Sequence, residues 1–106
     1  MRAHLTILNG NTVQKTLDVP QGSFVMGRGE DCDLRSKCPF VSRHHCILLS
    51  EENGLRIRDA GSKHGTIVNG KTIGRDEPVL KSGDVIWLGE IAVQVTLEQP
   101  SADANE

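Results

Sequence analysis

Apolar residues recur along this chain in short alternating runs, and no stretch sustains a helical period. Leu5-Thr6-Ile7 alternates. Val13, Leu17 and Val19 share one face of a second stretch, which Lys15 breaks, and Gly10-Asn11 supplies turn chemistry between the two. This predicts a hairpin. Pro20-Gln21-Gly22 is a turn, and Ser23-Phe24-Val25-Met26 is a short buried strand that delivers Gly27-Arg28 at its end. Glu30 to Phe40 has little period and contains Pro39, which predicts a long loop with at most a short strand around Leu34. Cys46-Ile47-Leu48-Leu49 is apolar but too short for a helix.

Glu51-Glu52-Asn53-Gly54 reads as a hairpin turn, and Leu55-Arg56-Ile57-Arg58 alternates, apolar in and basic out. The strongest local signal is Thr66-Ile67-Val68, Asn69-Gly70, Lys71-Thr72-Ile73, because Asn-Gly tolerates the positive φ angles of a type I′ hairpin turn. Val79-Leu80 is a short strand or bridge, and Lys81-Ser82-Gly83-Asp84 is a turn. Val85-Ile86-Trp87-Leu88 is a buried strand. In the last strand Ile91, Val93, Val95 and Leu97 line one face, with Ala92, Gln94 and Thr96 opposite. Eleven glycines punctuate these runs at intervals near ten residues, the signature of an all-β sandwich or barrel. At 106 residues the chain makes one domain, residues 1–98, with residues 99–106 predicted to be a disordered polar tail.

Composition narrows the function. A formal net charge of −2 exerts no global pull toward nucleic acid or membrane. The charge is uneven: Gly27 to His45 carries four Lys/Arg against three Asp/Glu, whereas Cys46 to Glu106 carries six against ten. A mildly basic loop region on an acidic body suits a small anionic ligand. Phe24, Phe40 and Trp87 are the only aromatics, too few for a surface that stacks nucleic-acid bases. No apolar run approaches a membrane span, and Met1-Arg2-Ala3-His4 lacks a signal peptide's apolar stretch. Cys32, Cys38 and Cys46 are odd in number, which favours reduced thiols in a cytoplasm.

Chemistry concentrates in two loop segments, Gly27 to His45 and Asp59 to Thr66. They hold what a phosphate needs: Arg28, Ser42, Arg43, Ser62, Lys63 and His64. Arginine offers a planar, permanently charged fork, and serine hydroxyls and glycine-flanked N–H groups add neutral donors. Asp59, Gly61, Gly65, Asn69 and Gly70 are turn-formers and belong to the scaffold.

In these residues the sequence resembles the forkhead-associated (FHA) domain. The match is ordered: Gly27-Arg28, then Cys32-Asp33-Leu34, Val41-Ser42-Arg43-x-His45-Cys46-Ile47, Asp59-x-Gly61-Ser62-x-x-Gly65-Thr66-x-Val68-Asn69-Gly70, Leu80-x-x-Gly83-Asp84-x-Ile86 and Gly89. The resemblance implies a β-sandwich of about eleven short, mostly antiparallel strands with ligand loops at one end. It implies recognition of phosphothreonine peptides, with Arg28 and Ser42 on the phosphate, Arg43 near the phosphate and threonine methyl, and Lys63 and His64 on phosphate and peptide backbone. Gly27, His45, Asp59, Gly65, Thr66, Asn69 and Gly70 would support the site. His64 departs from the family, which most often has asparagine there. An imidazole donates and accepts in a different geometry and changes charge near neutrality, so peptide grip would depend on pH.

The expected function is therefore a monomeric, cytoplasmic adaptor that binds a phosphothreonine-containing protein downstream of a serine/threonine kinase, with no enzymatic activity, cofactor, metal, nucleic acid or membrane. The alternatives are phosphate-independent protein binding and a zinc site from Cys38, His44, His45 and Cys46, with or without Cys32. Zinc is disfavoured because there is no Cys-x-x-Cys and adjacent histidines on a strand diverge. A hydrolase triad of Ser42, His45 and Asp59 is disfavoured because no nucleophile elbow surrounds Ser42.

Overall fold

The structure is a computed structural model that describes residues 2–9, 12–52 and 54–98. Among these residues the chain forms ten strands and no helix: β1 Arg2–Asn9, β2 Thr12–Val19, β3 Gly22–Gly27, β4 Leu34–Arg35, β5 Cys46–Glu51, β6 Gly54–Asp59, β7 Thr66–Val68, β8 Lys71–Thr72, β9 Val85–Leu88 and β10 Ile91–Glu98. An isolated bridge between Arg56 and Val79 adds one more pairing where Val79-Leu80 was expected to form a strand or bridge. Six strands pair in the order β2-β1-β10-β9-β7-β8 and four in the order β4-β3-β5-β6. Only β3 and β4 run parallel; every other pair is antiparallel. The predicted mostly antiparallel all-β sandwich is therefore the fold.

Alternation builds the single core between the sheets. Leu5 and Ile7 of β1, Ile86 and Leu88 of β9, and Val93 and Val95 of β10 meet Phe24 and Met26 of β3, Leu48 of β5, and Leu55 and Ile57 of β6. Each fully buried Leu, Ile or Met contributes about 1.5–3 kcal/mol by leaving water. Outward residues of β6 are basic as expected: Arg58 pairs with Glu77 at 3.2 Å and Arg56 with Glu51 at 3.4 Å.

Two details differ from the sequence expectation. Val13 does not share the face of Leu17 and Val19. The β1–β2 register shifts between Ile7 and Leu8, so Lys15 opposes Ile7 but Val13 opposes Leu8. One extra residue in a strand turns everything beyond it to the other face, and Val13 is 58% exposed. In β9 burial alternates rather than running through, with Trp87 exposed between buried Ile86 and Leu88. The expected turn at Gly10-Asn11, Asn53 of the Glu51-Glu52-Asn53-Gly54 turn, and the tail at residues 99–106 lie outside the described residues.

The Asn69-Gly70 hairpin forms as predicted, with φ of 51° and 86° at its two central residues. Asn69 does more than turn the chain. Its Oδ1 accepts the Val85 N–H at 2.9 Å and its Nδ2 donates to Asp84 at 2.8 Å. Asp84 also accepts the Lys81 N–H at 2.7 Å, so the β7–β8 turn and the turn before β9 are locked together. The loops following β3, β4 and β6 gather at one end of the sandwich, joined by the hydrogen bonds described next.

Candidate functional site

The site begins where β3 ends. A Cβ on Gly27 would lie 2.2 Å from the Arg43 carbonyl oxygen, so only glycine lets the β4–β5 loop close against this strand. The chain exploits that approach. His45 N–H donates to the Met26 carbonyl, Arg28 N–H to Ser42 and Gly29 N–H to Arg43, each at 2.9 Å. Arg28 is thereby fixed beside Ser42. Its Nε donates to the Val41 carbonyl at 2.9 Å, which orients the guanidinium and leaves its two terminal NH2 groups for a ligand.

His45 braces this junction from beneath. It is fully buried. Its Nδ1 accepts the Ser42 N–H at 3.0 Å, so the proton resides on Nε2, which donates to the Gly65 carbonyl at 2.8 Å. One imidazole thus ties the β4–β5 loop to the β6–β7 loop. Ser42 makes the second tie: its Oγ accepts the Lys63 N–H at 2.9 Å. A hydroxyl that accepts from one side still has its own hydrogen to donate, and that hydrogen is available to an anion between the loops.

Asp59 knots the β6–β7 loop. Its Oδ2 accepts the N–H groups of Gly61 and Ser62, both at 2.9 Å, and its Oδ1 accepts the hydroxyls of Ser62 at 2.5 Å and Thr66 at 2.6 Å. Burial alone would push this carboxyl up, but the hydrogen bonds from Ser62, Thr66 and Gly61 together hold it below its ordinary value. Ser62 therefore commits its hydroxyl to Asp59 rather than to a ligand. The cysteine that starts β5, Cys46, is buried and its thiol is pushed up by that burial.

The exposed rim is formed by Arg28, Arg43, Lys63 and His64. His64 meets Phe40 edge-on, with ring centroids 5.7 Å apart and planes at 77°. The sequence reading counted Phe40 only as one of three aromatics and as the end of a long loop; its place beside Pro39, close before Ser42, was the available signal. Next to Arg28 an open pocket of about 520 Å³ is lined by Gly29, Glu30, Asp31, Arg35, Arg43 and His44. Arg35 was also missed, although strand alternation places it outward from buried Leu34. A larger groove of about 810 Å³, bordered by Ile7, Val13, Leu34, Cys38 and Ile91, meets this pocket at Arg35, and neither Arg28 nor Ser42 lines it.

The structure separates the residues of the zinc alternative. His45 has both ring nitrogens in protein hydrogen bonds and Cys46 is in the core. Ligand atoms of Asp31, Cys32 and His44 do come within 4.8 Å of one another. However, His44 Nε2 is 2.9 Å from Asp31 Oδ2, and burial pushes the Cys32 thiol up, away from the thiolate a metal requires. Arg28, Arg35 and Arg43 line the same pocket, so its field favours an anion. The hydrolase triad is not assembled either. His45 contacts the Ser42 backbone instead of its hydroxyl, and Asp59 bonds within its own loop.

The family model for the FHA domain matches residues 24–89. The chain is 38% identical over 76 residues to the ABC transporter ATP-binding/permease protein Rv1747 of Mycobacterium tuberculosis, covering 72% of this chain and 9% of that protein. It is 44% identical over 65 residues to the proliferation marker protein Ki-67 of Homo sapiens, covering 60% and 2%. To the glycogen accumulation regulator GarA of Mycobacterium tuberculosis it is 31% identical over 88 residues, covering 83% and 53%. The chain thus spans a small part of the first two relatives and about half of the third. Among solved structures, a chain from a study of phosphothreonine-dependent FHA domain interactions superposes with a TM-score of 0.85 at 29% identity, covering 93% of this chain and 99% of that one. The FhaA FHA domain complexed with the intracellular domain of Rv3910 gives 0.80 at 31% identity, covering 88% and 98%. The family match runs from β3 through the turn after β9, across all the loops that meet at Arg28 and Ser42, and on that ground the chain belongs to the FHA domain family.

Proposed function

We propose that this chain is a phosphothreonine-dependent peptide-binding module, a monomeric cytoplasmic adaptor acting downstream of a serine/threonine kinase. The observation that carries this reading is the Arg28–Ser42 junction. A guanidinium with its Nε anchored and a hydroxyl with its acceptor side filled present unused donors at one point between three loops. Solved FHA structures described by phosphothreonine dependence and by a complex with a protein partner support it. Arg28 and Ser42 take the phosphate, Arg43 and Lys63 add charge beside it, and His64 with Phe40 faces the flanking peptide. Ser62 is reassigned from ligand contact to bracing, because its hydroxyl is spent on Asp59.

Binding in this site needs no chemistry beyond pre-organised donors, so the module turns nothing over and requires no cofactor. Each charge-assisted hydrogen bond contributes about 1.5–3 kcal/mol. A few of them, less the cost of ordering the peptide, give affinities of roughly micromolar. A threonine methyl adds about 1 kcal/mol, so preference over phosphoserine of about fivefold is expected from burial alone.

Calorimetric titration with a degenerate phosphothreonine peptide pool tests this, with phosphoserine and unphosphorylated pools as controls. Binding to phosphothreonine that is lost in folded Arg28→Ala protein is expected. Binding that Arg28→Ala leaves intact, or that is equal for the unphosphorylated pool, would overturn it.

A further inference from the structure

The outer face of the six-stranded sheet departs from the alternation that built the core. A sheet face turned to water is ordinarily polar. Here one row crosses all six strands in register: Val13 beside Leu8, Leu8 beside Ala92, Ala92 beside Trp87, Trp87 beside Ile67, and Ile67 beside Thr72. All but Thr72 are apolar. The bulge in β2 is what turns Val13 to this side. The next row, Thr16, Thr6, Gln94 and Val85, carries no charge. Trp87 stands in the apolar row with 41% of its surface exposed.

Beside Trp87 lies a pocket of about 460 Å³, lined by Leu8, Val85, Ala92 and the Asn69-Gly70 turn, with Glu90 as its only charged residue. The β9–β10 turn places Glu90 there. Leu88 pairs with Ile91, so Gly89 and Glu90 alone make the turn, and Gly89 takes the positive φ, 58°, that a two-residue hairpin turn needs. Glu90 is exposed, and among the described residues it is in no ion pair. It also borders the groove that holds Lys15, Arg35 and Lys37, and it pairs with none of them. An indole and a carboxylate in one apolar pocket suit a cationic side chain: the ring's quadrupole attracts the charge and the carboxylate pairs with it.

We propose that Trp87 and Glu90 form a binding pocket for an arginine side chain, presented between apolar residues of a partner protein that lies along the Val13-to-Ile67 row. Arginine suits the pocket better than lysine, because a planar guanidinium stacks on an indole and forks to a carboxylate. A second copy of this chain does not fit. Two-fold packing sets one patch against itself, and this pocket offers Glu90 no cation. None of the pocket's residues comes from the β3–β4, β4–β5 or β6–β7 loops, so the partner is held independently of phosphate.

Trp87 is the only tryptophan, so its fluorescence reports this patch alone. The test titrates the protein with three unphosphorylated peptides: acetyl-Leu-Ser-Leu-Arg-Leu-Ser-Leu-amide, and the same peptide with glutamine or glutamate in place of arginine. The arginine peptide is expected to shift Trp87 emission to the blue and to bind about tenfold more tightly than the glutamine peptide, with the glutamate peptide weakest. Glu90→Gln brings the arginine peptide close to the glutamine peptide's affinity. Trp87→Leu, followed by calorimetry, keeps apolar surface and loses most of the preference for arginine. Both variants keep the wild-type melting temperature within a few degrees and the wild-type response to phosphothreonine peptides. Equal affinity for the three peptides, no change in Trp87 emission, or a preference for arginine that survives both substitutions would overturn the pocket. So would loss of the arginine peptide's binding in Arg28→Ala protein, which would place that peptide at the phosphate site.

Discussion

At Gly27 the missing side chain decides where Arg28 goes. The Arg43 carbonyl occupies the space a Cβ would need, at 2.2 Å, and a backbone oxygen cannot rotate away as a side-chain end can. Gly27→Ala is expected to destabilise the domain by about 1–3 kcal/mol and to break the register that holds Arg28 against Ser42. Urea unfolding together with phosphopeptide binding measures both; wild-type stability in the variant would show that the two loops are not pressed together as described. The Gly-Arg pair was legible from sequence because its strand end is local. The hydroxyl of Ser62, expected to meet the ligand, donates to Asp59, and the sequence could not show this because a serine in a glycine-rich loop looks the same whichever way its hydroxyl faces.

The elements that carry the site are loops, and each is held by a small number of polar groups. Asp59 alone gathers four hydrogen bonds. Its carboxyl is held below its ordinary value, so the folded state binds that proton less readily than the unfolded chain. The stabilisation is therefore present above the unfolded carboxylate value of about 3.9 and is lost as pH falls through the lower folded value. Asp59→Asn is expected to cost about 1–3 kcal/mol at neutral pH. Urea unfolding of both proteins should show the gap closing below about pH 4; a gap that is constant with pH would mean the carboxylate's charge is not what holds the loop. The hairpins were legible because Asn69-Gly70 and the alternating strands beside it state their own geometry. The bulge that turns Val13 outward was not, since a register shift depends on the partner strand. Alternation placed Arg35 outward from Leu34, but its seat beside Gly27 was not legible, because that follows from a parallel pairing between β3 and β4 across an irregular loop.

In the whole molecule, two rigid sheets with one core fix three loops at one end, and the loops' contacts with one another finish the site. Much of this was readable in advance: the all-β class, the strand-end arginine, and the buried role of His45. What the sequence could not express were contacts between distant loops, such as Phe40 against His64 and Lys63 N–H on Ser42 Oγ. Those contacts gather Arg28, Ser42, Lys63 and His64 at one end of the sandwich, the arrangement that the proposed phosphate site requires.

The most direct test of that claim is residue-resolved NMR during titration with a phosphothreonine peptide and its unphosphorylated twin. The account predicts phosphate-dependent shifts concentrated at the Arg28 Nε–H and the backbone amides of Ser42, Arg43, Lys63 and His64, with the β1–β2 hairpin silent. Shifts centred elsewhere, or the same shifts with the unphosphorylated peptide, would contradict it.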